Sequence, residues 1–480
     1  MKPTSMSDSR YYSLKKMAGF PVKYARESKT VMFFLCVAVS VILTFLLRDP
    51  EFAKTQDLVL FLLFLSIGLW ITEAIPPFAV GIFIVGFLVF TMGREDTMDV
   101  QQYVQTWSDG VIWLFLGGFF LASGMKKTGL DTHLLLLAAP RFGNKAKHII
   151  LGLMMITAVL SMVMSNTATT AMMIATVAPL LLQSPENHMS KILYLGIPAA
   201  AAIGGMGTII GSAPNAIAVG ALATVGIEIS FIEWMVIGMP VALILTYLFW
   251  LVLLKKYKIG NETISLNFLK RDELFFSTPE EVVQKKVVLL ILSLTIFLWL
   301  TSQWTGIPVA VVSGVPIVGL TMIGIIDADE VRTLPWDTLM LVAGGLSLGL
   351  AIQEQGLITY FIDKMSEIEI NFYLLLIIFS FISVTLSNFM SNTAATTILI
   401  PIAISFSAAS GAINPVVLPI VIGLCASCAL LLPVSTPPNA IVYSTGRVDQ
   451  KEFRLGGIFI GTLGPVLIIL WTLLASFLFL

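Results

Sequence analysis

Ser165-Asn166-Thr167-Ala168-Thr169-Thr170 and Ser391-Asn392-Thr393-Ala394-Ala395-Thr396-Thr397 are two versions of one polar string, each set in the middle of a long apolar segment. Polar groups at membrane depth are costly, so a pair of them marks function and points to one site built by two halves of a duplicated chain. The apolar setting is chain-wide. Of the 480 residues 57% are apolar and 12% charged, and the mean hydropathy is +0.92; a soluble domain carries about 25% charged residues. Runs such as 31–47, 58–75, 240–254, 287–300 and 455–480 are long enough, with their flanks, to cross a bilayer. The fold class is an all-α polytopic membrane protein. A formal charge of −1 identifies no partner, and no basic patch speaks for nucleic acid. Three cysteines exclude a disulfide scaffold. Cys425 and Cys428 read as small apolar residues at a helix contact rather than as a redox pair. His133, His148 and His188 stand at loops or helix ends without ligand spacing.

The pattern predicts spans at 31–47, 57–75, 77–93, 110–125, 192–226, 235–254, 286–303, 308–326, 337–357, 414–446 and 456–480. Two segments, 147–183 and 372–408, do not fit. Each is about 37 residues long, about 55 Å as one straight helix at 1.5 Å per residue, against a hydrocarbon core of about 30 Å. Each must break or turn back, and each carries its Ser-Asn-Thr near the midpoint. Loop charge bears on the choice. The N-terminal segment carries Arg10, Lys15, Lys16, Lys23, Arg26 and Lys29; it is too long and polar for a cleaved signal, and it is expected in the cytoplasm. Four spans later comes a second basic loop with Lys126, Lys127, Arg141, Lys145 and Lys147. The linker that follows holds Lys255, Lys256, Lys258, Lys270, Arg271, Lys285 and Lys286. If 147–183 enters and returns, that linker is also inside, with Arg447, Lys451 and Arg454. The acidic loops with Glu95, Asp96, Asp99, Glu228 and Glu233 then fall outside, as does the C-terminus. The reading is two re-entrant hairpins with the motifs at their tips. Two full spans would give the same parity but would put the motifs on opposite membrane surfaces.

The repeat extends beyond the motif. Gly117-Gly118 matches Gly344-Gly345, Gly129 matches Gly356, and Gly211-Ser212-Ala213-Pro214-Asn215 matches Ser435-Thr436-Pro437-Pro438-Asn439. With the motif, the offsets are 227, 227, 226 and 224 residues. The expected organisation is a cytoplasmic segment 1–30, a first transmembrane helix 31–56, a first repeat 57–254 with hairpin 147–183, a cytoplasmic linker 255–285 and a second repeat 286–480 with hairpin 372–408. Each repeat holds five spans and one hairpin. Five is odd, so the second is inverted relative to the first, an arrangement found in transporters.

A hairpin tip exposes backbone N–H at the start of its second arm and C=O at the end of its first, which favour an anion and a cation respectively. Asn, Ser and Thr side chains supply both donors and acceptors. The stretches 207–215 and 433–439 place Pro and Gly inside apolar segments, where freed carbonyls become cation ligands. The Gly pairs are read as helix packing contacts, Glu73 and Glu354 as interfacial residues, and Asp109 and Asp337 as helix N-terminal charges. No Asp, Glu, Lys or Arg lies at mid-depth in the motif segments, which argues against a proton relay and for sodium.

Paired SNT motifs, followed by the S-x-P-N-A and T-P-P-N-A breaks, resemble the divalent anion/sodium symporter family, to which bacterial dicarboxylate transporters of the INDY type belong. The resemblance covers the chain after about residue 30. It implies eleven spans, two re-entrant hairpins, a homodimer in lipid and an elevator mechanism. It further implies a first sodium held by Ser161, Ser165, Asn166 and the Gly211 backbone, and a second held by Ser387, Asn392 and backbone oxygens at Met390 and Ser435. Substrate would meet Ser165, Asn166, Thr167, Ser391, Asn392 and Thr393, with Ser212, Thr436 and Pro437 lining the pocket. Sodium is then co-transported cargo rather than a catalytic cofactor. The expected activity is sodium-coupled import of C4 dicarboxylates (succinate, malate, fumarate) across a bacterial inner membrane. The alternatives are citrate or sulfate on the same fold, or sodium-independent exchange of dicarboxylates. No H-E-x-x-H, G-x-G-D or intramembrane Asp pair supports an enzyme, and charged pore rings for a channel are absent.

Overall fold

Helices carry the chain wherever it is described. The computed structural model describes residues 8–93, 99–183, 188–259, 263, 278–357, 360, 371–409 and 414–479. Glu95, Asp96, Lys270 and Arg271, cited above for topology, lie outside them, as do most residues of the 255–285 linker. The principal helices are α1 (Asp8–Leu47), α2 (Lys54–Thr72), α3 (Pro77–Met92), α4 (Gly110–Thr128), α5 (Ala146–Leu160), α6 (Asn166–Gln183), α7 (His188–Gly204), α8 (Ala213–Thr224), α9 (Phe231–Tyr257), α10 (Pro279–Leu300), α11 (Trp336–Glu354), α12 (Phe372–Phe389), α13 (Asn392–Ala409), α14 (Val417–Ala426), α15 (Pro437–Ser444) and α16 (Gln450–Phe479). Their ends follow from local chemistry. Asp109 caps α4 by accepting from Val111 N at 2.8 Å. Ser230 and Glu233 form a capping box on α9, as do Thr278 and Glu281 on α10. Asp337 lies in the first turn of α11. Glu73 ends α2 in the left-handed conformation, and Glu354 is the exposed last residue of α11.

Among the described residues nine helical segments are long and apolar enough to cross a membrane, and Phe372–Phe389 is one of them. The expected spans at 77–93, 192–226, 308–326 and 414–446 differ from simple long helices. The first is the 16-residue α3. Residues 192–226 are α7, two short 3-10 turns and α8. Residues 308–326 are two short helices, Val309–Val312 and Gly314–Met322. Residues 414–446 are α14 and α15 with irregular backbone between. In the N-terminal segment α1 starts at Asp8 and runs unbroken into the apolar stretch.

Pro433 lies in the irregular stretch between α14 and α15, as the sequence suggested, but three other prolines act differently. Pro214, Pro437 and Pro438 sit in the first turns of α8 and α15. There a missing N–H costs nothing, so they restart helices rather than interrupt them. The unwinding lies just before them.

Two apolar clusters fill the interior. One joins residues from α4 to α16, and the other gathers α1, α2, α3, part of α11 and the first turns of α13. The glycine pairs are packing points. A β-carbon on Gly344 would stand 2.2 Å from Gly81 Cα, and one on Gly117 2.7 Å from Ser313 Cβ. Their neighbours face the other way: Gly345 would meet Thr397 Cγ2 at 2.5 Å and Gly118 would meet Ile210 Cβ at 3.2 Å. Cys425 and Cys428 are buried free thiols, and Cys428 Sγ packs on Gly464. Buried indoles find carbonyl partners, as their N–H requires. Trp250 Nε1 donates to Lys147 O, and Trp471 Nε1 to Val236 O, each at 3.0 Å.

Candidate functional site

Each Ser-Asn-Thr marks the break between two helices. In the first half α5 ends at Leu160, a tight turn covers 161–165, and α6 begins at Asn166. In the second, α12 ends at Phe389, Met390 is extended, and α13 begins at Asn392. The motif serine caps the new helix in both: Ser165 Oγ accepts from Ala168 N at 3.2 Å and Ser391 Oγ from Ala394 N at 3.1 Å. The serine four residues earlier is buried in both, Ser161 and Ser387 alike, whereas Ser165, Thr167 and Ser391 are exposed. Asn166, Asn392, Thr393 and Ser212 are half-buried, Thr436 is buried and Pro437 exposed.

The helices lace the halves together. α5 and α6 pack on α7, the first helix of their own half's break, and α12 and α13 likewise on α14. The second helix of each break crosses over: α8 packs on α13 and α15 on α6. The second arm of each tip is therefore flanked by both breaks.

Around the first tip, oxygens converge. Ser161 Oγ donates to Asn166 Oδ1 at 2.6 Å. A β-carbon on Gly205 would lie 2.6 Å from Asn166 Oδ1 and 2.9 Å from Gly211 O; one on Gly211 would lie 2.6 Å from Gly205 O and 3.1 Å from Ser161 O. Only glycine leaves this space to the oxygens. Ser161, Asn166 and Gly211 are thus brought together, with the Gly205 carbonyl joining them. Around the second tip, Ser387 Oγ and Asn392 Oδ1 are buried without a hydrogen-bond partner. Ser435 lies behind, its hydroxyl 3.3 Å from Asn388 O. Orphaned buried acceptors of this kind cost about 1–3 kcal/mol each, and a cation would satisfy them.

Three elements escaped the sequence reading. The Asn of each Pro-Asn break is a clamp: Asn215 Nδ2 donates to Gly205 O and Thr208 O, each at 2.7 Å, and Asn439 Nδ2 to Leu430 O at 3.4 Å and Leu432 O at 3.1 Å. Trp234 Nε1 holds another freed carbonyl, Met206 O, at 3.0 Å. The third is a hydroxyl tying break to tip. Thr208 Oγ1 donates to Met162 O and accepts from Gly211 N at 3.1 Å. In the second half Ser435 Oγ reaches Asn388 O and accepts from Leu432 N at 3.1 Å. At the repeat offsets Ser435 matches Gly211 and Leu432 matches Thr208. The same four-residue turn is closed by a hydroxyl from opposite ends. Ser-Thr-Pro-Pro-Asn against Gly-Ser-Ala-Pro-Asn was the visible trace of this swap, and only coordinates give it meaning.

The sequence profile of the family described as "Sodium:sulfate symporter transmembrane region" matches residues 27–479. The sodium-dependent dicarboxylate transporter SdcS of Staphylococcus saprophyticus is 30% identical over 471 residues, covering 89% of this chain and 88% of that protein. Its namesake from Staphylococcus aureus strain USA300 is 31% identical over 438 residues, covering 84% and 82%. In structure the chain is similar to Neisseria gonorrhoeae MtrF, reported as illuminating a class of antimetabolite efflux pumps. The TM-score is 0.58 at 12% identity over 85% of this chain and 96% of that one, a likeness of fold alone.

Proposed function

This chain belongs to the sodium:sulfate symporter family, and from that premise we propose that it imports C4 dicarboxylates such as succinate, malate and fumarate, driven by sodium. The observation that carries the reading is the pair of tip-and-break clusters made of neutral oxygens, with Ser387 Oγ and Asn392 Oδ1 buried and unpartnered in the second. The names of the staphylococcal relatives support both the ion and the substrate class.

In this reading sodium binds first, to Ser161, Ser165, Asn166 and the Gly211 carbonyl, and to Ser387, Asn392 and the carbonyls of Met390 and Ser435. The dianion then binds between the tips, at Asn166, Thr167, Asn392 and Thr393, with Ser165, Ser391, Ser212, Thr436 and Pro437 around it. Two cations offset its charge where the chain provides no Arg or Lys, and the loaded site becomes cheap to move through a low-dielectric interior.

Movement is by an elevator in a homodimer within the inner membrane, N-terminus inside and C-terminus outside. The eleven spans count α7–α8 and α14–α15 as one broken span each and 309–322 as one bent span. The paired helices α5–α6 and α12–α13 are the re-entrant hairpins of two inverted repeats. Polar contacts between segment ends support this topology. Lys127 pairs with Glu330 at 2.7 Å and Lys191 with Glu452 at 2.9 Å, all on the expected inner side. Gln303 donates to Glu233 at 3.1 Å on the outer side. Trp250, near the end of α9, reaches Lys147, where the first hairpin starts.

The test is radiolabelled succinate uptake into proteoliposomes under an inward sodium gradient, with choline as replacement. Sodium-dependent uptake, lost in Asn166→Ala and in Asn392→Ala, is expected. Uptake that ignores sodium but needs internal dicarboxylate would make the protein an exchanger instead. No succinate uptake, with sodium-dependent uptake of citrate or sulfate, would refute the substrate assignment.

A further inference from the structure

Asn388 stands where the repeat puts Met162, and no role above uses its side chain. It is 6% exposed. Its Oδ1 accepts from Leu431 N at 2.9 Å and lies 3.0 Å from Ser435 Oγ, and its Nδ2 donates to Val384 O at 2.8 Å. One amide thus ties α12, a turn before the tip, to both ends of the 431–435 turn. A methionine offers no such bond, and in the first half the tie runs through the Met162 carbonyl to Thr208. The two tips differ in a second respect. Ser161 and Asn166 satisfy each other, whereas their counterparts Ser387 and Asn392 leave Oγ and Oδ1 unpaired. Unpaired buried acceptors persist only where the surroundings hold them in place. Asn388, next to Ser387 in the chain, supplies that hold.

We propose that Asn388 is a positioning residue of the second ion site. It fixes the 431–435 turn against the tip before the cation arrives, so this site loads without rearrangement. The first site loads only when the Ser161–Asn166 bond opens. Asn388 does this without touching the ion, because its oxygen is already engaged by two donors. The inference rests on the sodium-symport reading.

The experiment is a sodium titration of the melting temperature of the purified full-length protein in detergent, with choline chloride holding ionic strength constant; a ligand that binds the native state raises that temperature. Asn388→Ala is expected to move the sodium midpoint up by about tenfold, or 1.4 kcal/mol. Asn388→Asp keeps both acceptor contacts but sets an oxygen against Val384 O, now 2.8 Å from Nδ2, so it is expected to melt lower than wild type while titrating at or below the wild-type midpoint. Asn388→Ala combined with Ser435→Ala is expected to shift the midpoint by less than the two single effects added, because the two residues share one bond. An alanine variant that melts lower with an unchanged midpoint would make Asn388 merely structural and overturn the proposal. So would an aspartate variant with a midpoint raised as far as alanine's. A wild-type protein with no sodium response would sink the symport reading and this proposal together; a normal wild-type response with an unmoved Asn388→Ala midpoint sinks the proposal alone.

Discussion

Replacing Thr208 with valine isolates one oxygen. Thr208 is 3% exposed, and valine matches its shape, so no cavity opens. What disappears is the bond to Met162 O and one of two acceptors of Gly211 N; the other, the Thr208 carbonyl at 3.3 Å, remains. The Met162 carbonyl stays buried without its donor, at a cost of about 1–3 kcal/mol. Gly211 N stays paired through the backbone, so a destabilisation of about 1–3 kcal/mol is expected. The melting temperature should fall, and sodium should restore part of it by reordering Gly211. A sharper version copies the second half's solution. Thr208→Leu with Gly211→Ser places a hydroxyl at the end of the turn that Ser435 occupies. It should not rescue, because a β-carbon at 211 would lie 2.6 Å from Gly205 O and 3.1 Å from Ser161 O. The assay is thermal melting in detergent with and without sodium, alongside sodium-driven uptake. Thr208→Val with wild-type melting and uptake, or a transplant that restores both, would refute the reasoning.

Asn215→Asp should destabilise more than Asn215→Ala. It turns a donor shared by two carbonyls at 2.7 Å into an acceptor facing them, and the order of the two melting temperatures checks this. Gly238→Ala should prevent folding, since its β-carbon would lie 2.1 Å from Met206 O on the unwound backbone; loss of a monodisperse size-exclusion peak is the readout. The sodium midpoint should be the same at pH 6 and pH 8, because every proposed ligand is neutral. A tenfold change between the two, read by melting titration, would reveal a titrating group at the site.

The sequence made some of this legible and left the rest dark, for physical reasons. Helix breaks at both motifs were readable because about 55 Å of helix cannot fit a core of about 30 Å. Asp109 and the glycine pairs were readable because a helix start and a close crossing each demand one residue type. The state of 192–226 and 414–446 was read as unwound but blamed on proline. Pro214, Pro437 and Pro438 begin the next helices while Pro433 lies in the unwound stretch, and the unwinding is held by Asn215, Asn439, Thr208 and Ser435. The Thr208 and Ser435 bonds to the tips join residues 46 or 47 positions apart, and no local pattern announces such partners. Span counting by length misses α3 and the broken helices for the same reason: it measures continuity, whereas a bilayer asks only for satisfied backbone.

The two glycine pairs deserve a mechanical reading. On one turn of α4 and one turn of α11, adjacent residues face opposite neighbours. Gly117 and Gly344 abut Ser313 and Gly81, while Gly118 and Gly345 abut Ile210 of the first break and Thr397 of the second tip arm. In the elevator proposed above, the first contacts would join parts of the stationary frame and the second would join frame to carriage. A seam without side chains on the frame side has no knobs to lift out of holes, so the carriage can slide along it while staying in van der Waals touch. In that proposed motion, the glycine next to each one that locks two frame helices together would be the bearing on which the site travels.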